Sequence, residues 1–146
     1  MDVKKTVLKV VALLLLCNLF VACSRSEDGV YYPSDDGIAY TGEGSTETFV
    51  DVAIQSTEGI IYFGKVKIID DSPTVWKALK AIVENDVDDV DRIDKDEQGL
   101  IIQINEFVNN EHEKWSLLVD NVEQDQNVED IEVFNDQGIT LLQTSN

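Results

Sequence analysis

Cysteine, histidine, proline and positive charge are all scarce in this chain, and each scarcity excludes a class of chemistry. The two cysteines stand at positions 17 and 23, so no disulfide, thiolate zinc site or cysteine nucleophile can form beyond Cys23. His112 is the only histidine, and it lies in Asn109-Asn110-Glu111-His112-Glu113, a loop by composition. No Gly-x-Ser-x-Gly elbow surrounds any serine, and no glycine-rich phosphate loop is present. Carboxylates are abundant, but in so acidic a chain their nearness in sequence does not single out a catalytic pair with separated pKa values. The 146 residues hold 11 Lys and Arg against 29 Asp and Glu, a formal net charge of −18. Such a surface repels nucleic-acid phosphates and anionic lipid faces, while it suits solubility or cation binding. The expectation is a non-enzymatic protein with no nucleic-acid partner.

Long apolar runs are scarce too, with one exception. Lys4, Lys5 and Lys9 precede an apolar stretch from Val10 to Val21, broken only by Asn18 and followed by Ala22-Cys23. The pattern is that of a cleaved secretory signal. The charged run Ser24-Arg25-Ser26-Glu27-Asp28 follows too soon for a spanning helix, which takes about 20 apolar residues. Phe20-Val21-Ala22-Cys23 resembles the lipobox of bacterial lipoproteins, with Phe where Leu is usual. That resemblance implies a diacylglycerol on the Cys23 thiol, and two acyl chains hold a protein stably on a membrane. Residues 1–22 are thus expected to be a signal peptide. The remainder is expected to be tethered outside the cytoplasm, at the cell membrane or envelope.

What is left suffices for one domain. Residues 23–46 read as a flexible linker, rich in Ser, Gly, Asp and Glu, with the apolar islands Val30-Tyr31-Tyr32-Pro33 and Ile38-Ala39-Tyr40. From Glu47 the pattern becomes regular. Val50, Val52 and Ile54 alternate with polar residues as in a half-buried strand, and Thr57-Glu58-Gly59 turns into a second strand, Ile60 to Ile69. Gly64 is expected to mark a bulge there. Asp70-Asp71-Ser72-Pro73-Thr74 is a helix start. Val75, Ala78, Leu79, Ile82 and Val83 then share one face of a helix from about Thr74 to Asn85. Glu84 to Gln98 is so acidic that a solvated loop or a metal site is expected. Strands follow at Leu100–Ile104, Lys114–Val119, Glu129–Phe134 and Gly138–Leu142. This order predicts an α+β fold, a sheet with one covering helix.

Taken in order, Val50 to Ile54, Gly64-Lys65-Val66-Lys67-Ile68, Thr74-Val75-Trp76-Lys77-Ala78-Leu79 and Trp115-Ser116-Leu117-Leu118-Val119-Asp120-Asn121 resemble the transcobalamin C-terminal-like domain. The likeness spans roughly residues 47 to 142. It implies a β-grasp (ubiquitin-like) mixed sheet over residues 47–146, and a binding role rather than chemistry. In the vertebrate carriers that domain closes over cobalamin together with a helical domain. This sequence shows no such second domain, so cobalamin capture by this chain alone is not expected.

Two sets of residues are candidates for function. Asp94-Lys95-Asp96-Glu97-Gln98-Gly99-Leu100-Ile101 matches the opening of a calcium loop, with Asp94, Asp96 and Gln98 as oxygen ligands. Position 12 of that loop is Asn105 rather than Glu, and a solvated acidic turn is the competing reading. Tyr62, Trp76 and Trp115, with the tyrosines of the linker, are candidates for a ligand or partner surface, since such rings combine contact area with a polar handle. The functional expectation is a lipid-anchored module binding a small ligand or an envelope protein. The alternative is a calcium-dependent structural or adhesion module using residues 86–106.

Overall fold

The computed structural model describes residues 38–87 and 90–145. The expected signal peptide, Cys23, most of the expected linker, Asp88 and Asp89 lie outside the described residues.

The described chain runs β1 (Ile38–Thr41), β2 (Glu47–Ser56), β3 (Gly59–Ile69), α1 (Val75–Glu84), β4 (Ile93–Lys95), β5 (Ile101–Ile104), β6 (Phe107–Val108), β7 (Glu113–Val119), β8 (Val122–Gln124) and β9 (Gln137–Ser145). Six strands form one sheet in the order β1-β3-β2-β9-β7-β8, and β4-β5-β6 form a second. The large sheet is mixed. Its central pair β2–β9 and its edge pair β1–β3 are parallel, and the other pairs are antiparallel.

Alternation along the strands decides which face is covered. Val50, Val52 and Ile54 of β2, Val66 and Ile68 of β3, Leu117 and Val119 of β7, and Ile139 and Leu141 of β9 are all buried. They meet Val75, Ala78, Leu79 and Ile82 from α1. Side chains of the opposite parity form the other face of the sheet. The β4–β5 hairpin adds Ile93, Ile101 and Ile104 to the same core. Burying side chains of this size contributes about 1.5–3 kcal/mol each, which is the source of stability in a chain with no cysteine after position 23.

Four expectations are corrected here. Ile38-Ala39-Tyr40, placed in the linker, belongs to β1, paired with Val66 to Ile69 of β3. Period-2 reading misses it because four residues are too short to establish alternation. The acidic run Glu84 to Gln98 is not wholly solvated, since Val90 and Ile93 are buried in the core and Ile93–Lys95 is β4. Two well-placed apolar residues anchor this acidic segment to the core. Glu129–Phe134, expected as a strand, forms only an isolated bridge between Thr74 and Glu132. Carbonyls here are used elsewhere: Val128, just before the segment, and Ile131, within it, accept the backbone N–H groups of Trp76 and Val75 at 3.0 Å each. These amides open the helix and have no partner inside it. Finally, the bulge lies between Ile54 and Gln55 rather than at Gly64. Gly64 leaves room for Tyr62, because a Cβ there would stand 2.6 Å from the tyrosine hydroxyl.

Candidate ligand groove

The start of α1 builds the most featured surface among the described residues. Thr74 has extended backbone (φ −132°, ψ 162°), and its hydroxyl accepts the Lys77 amide, as a helix N-cap does. The helix then turns Val75, Ala78, Leu79 and Ile82 inward. Trp76, Lys77 and Lys80 are left half-buried at its rim. Beside them runs β1, where Tyr40 alternates onto the helix side and Asn85 Nδ2 donates to the Ala39 carbonyl at 3.0 Å.

Between these elements lies a groove of about 360 Å³ lined by Tyr40, Thr74, Trp76, Lys77, Lys80 and Glu129. A second hollow of about 500 Å³ adjoins it, shares Tyr40, Ser72 and Lys77, and extends to Glu43, Asp70 and Asp71. The rings carry cations: Lys80 Nζ is 5.3 Å from the Tyr40 ring centre and Lys95 Nζ is 5.4 Å from that of Trp76. Cation–π contacts at this range are favourable. Lys80 also meets Glu84 at 3.6 Å and Lys95 meets Glu129 at 3.4 Å. Such long, partly exposed pairs contribute little, so a ligand can displace them at small cost.

Asp70 holds the floor in place. Its carboxylate is almost fully buried and accepts from Lys77 Nζ at 2.7 Å, the Ser72 amide at 2.7 Å and the Glu43 amide at 3.1 Å. The Lys77 hydrogen bond is the main cause of its lowered pKa, helped by the amides and opposed by burial. Asp71 is likewise lowered, chiefly by the Thr46 hydroxyl and amide and then by the Ser45 amide. The two carboxylates pin the Gly42–Thr46 loop. Gly42 is required there, because a Cβ would fall 1.9 Å from Asp70 Oδ2.

The structure separates the aromatic candidates, and of the linker tyrosines it places Tyr40 on the groove. Trp76 is on the groove, half-buried. Tyr62 and Trp115 are only 2% and 7% exposed, which corrects the expectation of a shared surface. Tyr62 has the strand parity of Val66 and Ile68, and Trp115 that of Leu117 and Val119, so both face the core. The Trp115 indole N–H donates to the Phe107 carbonyl at 2.9 Å, and one edge reaches a separate groove of about 230 Å³.

The calcium-loop residues are engaged within the chain. The Asp94 carboxylate pairs with the Arg92 guanidinium. Asp96 Oδ1 accepts the amides of Gln98 and Leu100, both at 2.9 Å, and closes its own turn. Gln98 contributes a backbone amide to that turn. Among the described residues no group of three or more His, Cys, Asp or Glu is arranged to hold a metal. His112 is exposed at the turn before β7. Lys77, Lys80, Lys95 and Glu129 escaped sequence reasoning because they come from two secondary-structure elements and a loop, with no spacing to connect them.

The fold and groove define a mixed-sheet α+β domain with one helix among its described residues and a ring-lined surface hollow. No family model matches the chain, and no curated protein matches it. Among solved structures, haptocorrin in complex with Cbi is similar over 71% of this chain, with a TM-score of 0.59 and 16% identity. The match covers 26% of haptocorrin, so the chain spans about a quarter of that protein, and what the two share is the fold. A candidate metal-binding protein from Ruminococcus gnavus is more distant, with a TM-score of 0.48 and 10% identity over 68% of this chain and 98% of the other.

Proposed function

We propose that the chain is a non-catalytic β-grasp module, held outside the cytoplasm by a lipid on Cys23, that binds a small ring-bearing ligand in the groove at the start of α1. The sheet core β3-β2-β9-β7, with its central pair parallel and one helix across it, supports the β-grasp assignment, as does the likeness to part of haptocorrin. The lipobox-like Phe20-Val21-Ala22-Cys23 supports the anchor. Two observations favour binding over catalysis. The only histidine is exposed, and among the described residues the two carboxyls with displaced pKa are both lowered, whereas a general acid needs its pKa raised.

The observation that carries the ligand reading is the pair of rings, Tyr40 and Trp76, bordered by weakly paired Lys80, Lys95 and Glu129. A ring laid on Trp76 would replace the lysine contact with stacking, and its polar substituents would take the released ammonium and carboxylate groups. The test uses the two tryptophans as probes. In a ¹⁵N–¹H spectrum their indole N–H groups give two signals, and Trp115, bonded to Phe107, serves as the internal reference. Cobalamin, glucose and benzoate would be titrated separately. The expected result is a saturable shift of the Trp76 signal with at least one probe, weakened in Lys80→Ala. Movement of Trp115 alone would relocate binding to the second groove, and no movement with any probe would refute the ligand reading.

A further inference from the structure

Three lysine–carboxylate pairs border the groove at the start of α1, and they are not equivalent. Lys77 Nζ lies 2.7 Å from the buried Asp70 carboxylate and also donates to the Ser72 carbonyl at 2.8 Å, so this pair is fixed. Lys80 and Glu84, 3.6 Å apart, are neighbours on one face of α1, and Glu84 stands outside the groove. The third pair joins separate parts of the fold: Lys95 ends β4, while Glu129, in the loop before β9, lines the groove together with Trp76. Their charged atoms are 3.4 Å apart, longer than the roughly 2.7–2.9 Å of a good charge-assisted hydrogen bond, and both side chains are partly exposed. Among the described residues Lys95 meets no other carboxylate and Glu129 no other cation. Lys95 Nζ also stands 5.4 Å from the Trp76 ring centre.

This third pair sets the charge of the ligand. A ring stacked on Trp76 brings its substituents to Lys95 and Glu129. A lone carboxylate would take Lys95 and leave Glu129 without its cation, in a chain whose net charge of −18 already opposes an anion. A lone ammonium would take Glu129 and leave Lys95 without its carboxylate. A ligand that holds both charges opens the pair and matches each half, so neither is left over. Being neutral overall, it is not repelled by the chain. We propose, on the reading of this groove as a ring site, that its ligand is a free aromatic α-amino acid. The ring lies on Trp76, the carboxylate on Lys95 and the ammonium on Glu129.

The shape of that class fits the site. An α-amino acid carries both charges on one carbon, which suits an ammonium and a carboxylate already 3.4 Å apart. The two side chains need only part enough to admit them. One methylene joins that carbon to the ring, so the charges stay close to the face of Trp76, where Lys95 already sits. Stacking then replaces the cation–π contact that Lys95 gives up. The cavity of about 360 Å³ is of the size that holds small molecules. Within a peptide both charges are consumed by amide bonds, so the same geometry selects the free amino acid over a segment of protein.

Phenylalanine, phenylpropionate and phenethylamine share one ring and differ only in the charged groups they carry. Each would be titrated into the full chain with the indole N–H signal of Trp76 as the readout. Phenylalanine should bind about fivefold more tightly than either analogue, the difference that one partly exposed ion pair makes. In Glu129→Gln its affinity should fall to that of phenylpropionate, and in Lys95→Gln to that of phenethylamine. The Trp115 signal, held by the Phe107 carbonyl, reports that each variant keeps the fold. Either analogue matching phenylalanine overturns the proposal while the ring reading stands, since Trp76 has moved. Variants that keep the full preference for phenylalanine overturn it as well. So does phenylalanine leaving Trp76 unmoved, and if cobalamin, glucose and benzoate also leave it unmoved, the ring reading falls too.

Discussion

Replacing Asp70 tests how the groove floor is held. In Asp70→Ala the Lys77 ammonium and the amides of Ser72 and Glu43 all lose a carboxylate partner. Hydrogen bonds to charged groups are worth about 1.5–3 kcal/mol each, but the residues left behind lie near solvent and rehydrate, so the expected total is about 3 kcal/mol. Asp70→Asn keeps shape and one acceptor oxygen, and should lose about half of that, about 1.5 kcal/mol. Urea unfolding followed by circular dichroism would measure both, with the slope against urea unchanged if only stability is altered. The pH dependence separates charge from packing. Because the folded pKa of Asp70 lies below the ordinary 3.8, its stabilisation is complete above that value and is lost as pH falls toward the folded pKa. The gap between wild type and Asp70→Asn should therefore narrow over that acid range. Asp71 is also lowered, mainly by bonds to Thr46 and Ser45 that the Asn variant keeps, and the Asp70 charge is the last of its causes, so most of its contribution cancels in the comparison. A loss under about 1 kcal/mol for Asp70→Ala, against the hydrogen-bond values above, or a gap independent of pH, would refute this account.

Other outcomes follow from single contacts. Leu79→Ala, at a fully buried helix position, should cost about 2–5 kcal/mol in the same urea assay. Gly99→Ala should destabilise by about 1–3 kcal/mol, a left-handed backbone strain, because Gly99 has φ +81° and a Cβ there would meet the Asn127 carboxamide at 2.1 Å. Thr74→Ala removes the N-cap of α1 and should cost about 1 kcal/mol, read as a lowered melting temperature. Calcium should leave the melting temperature unchanged, because Asp96 already spends an oxygen on two amides and Asp94 is paired with Arg92. A calcium-specific rise would restore residues 94–98 as a site.

Helix α1 was legible almost to the residue, since a 3.6-residue apolar period, the preceding Asp-Asp-Ser-Pro-Thr and the closing Asn85 are local signals. Strands β2, β3, β7 and β9 were legible for the same reason, each long enough to alternate. Of the groove only Trp76 and, as one of the linker tyrosines, Tyr40 were named, and Trp76 was grouped with two rings that the sheet buries.

Local pattern thus determined which segments are helix and strand, which parity of each strand is apolar, and the acidity that shapes every surface. It also carried the lipobox-like start. Tertiary structure decided what no local pattern encodes: that β2 and β9 lie side by side in parallel, and that β1 closes an edge. It also decided that residues 128 to 133 give up strand pairing to satisfy the first amides of α1. The groove arises from those same long-range choices. Its walls come from β1, the start of α1, β4 and the loop before β9, and only the packing of one core brings residues so far apart in sequence to a common surface.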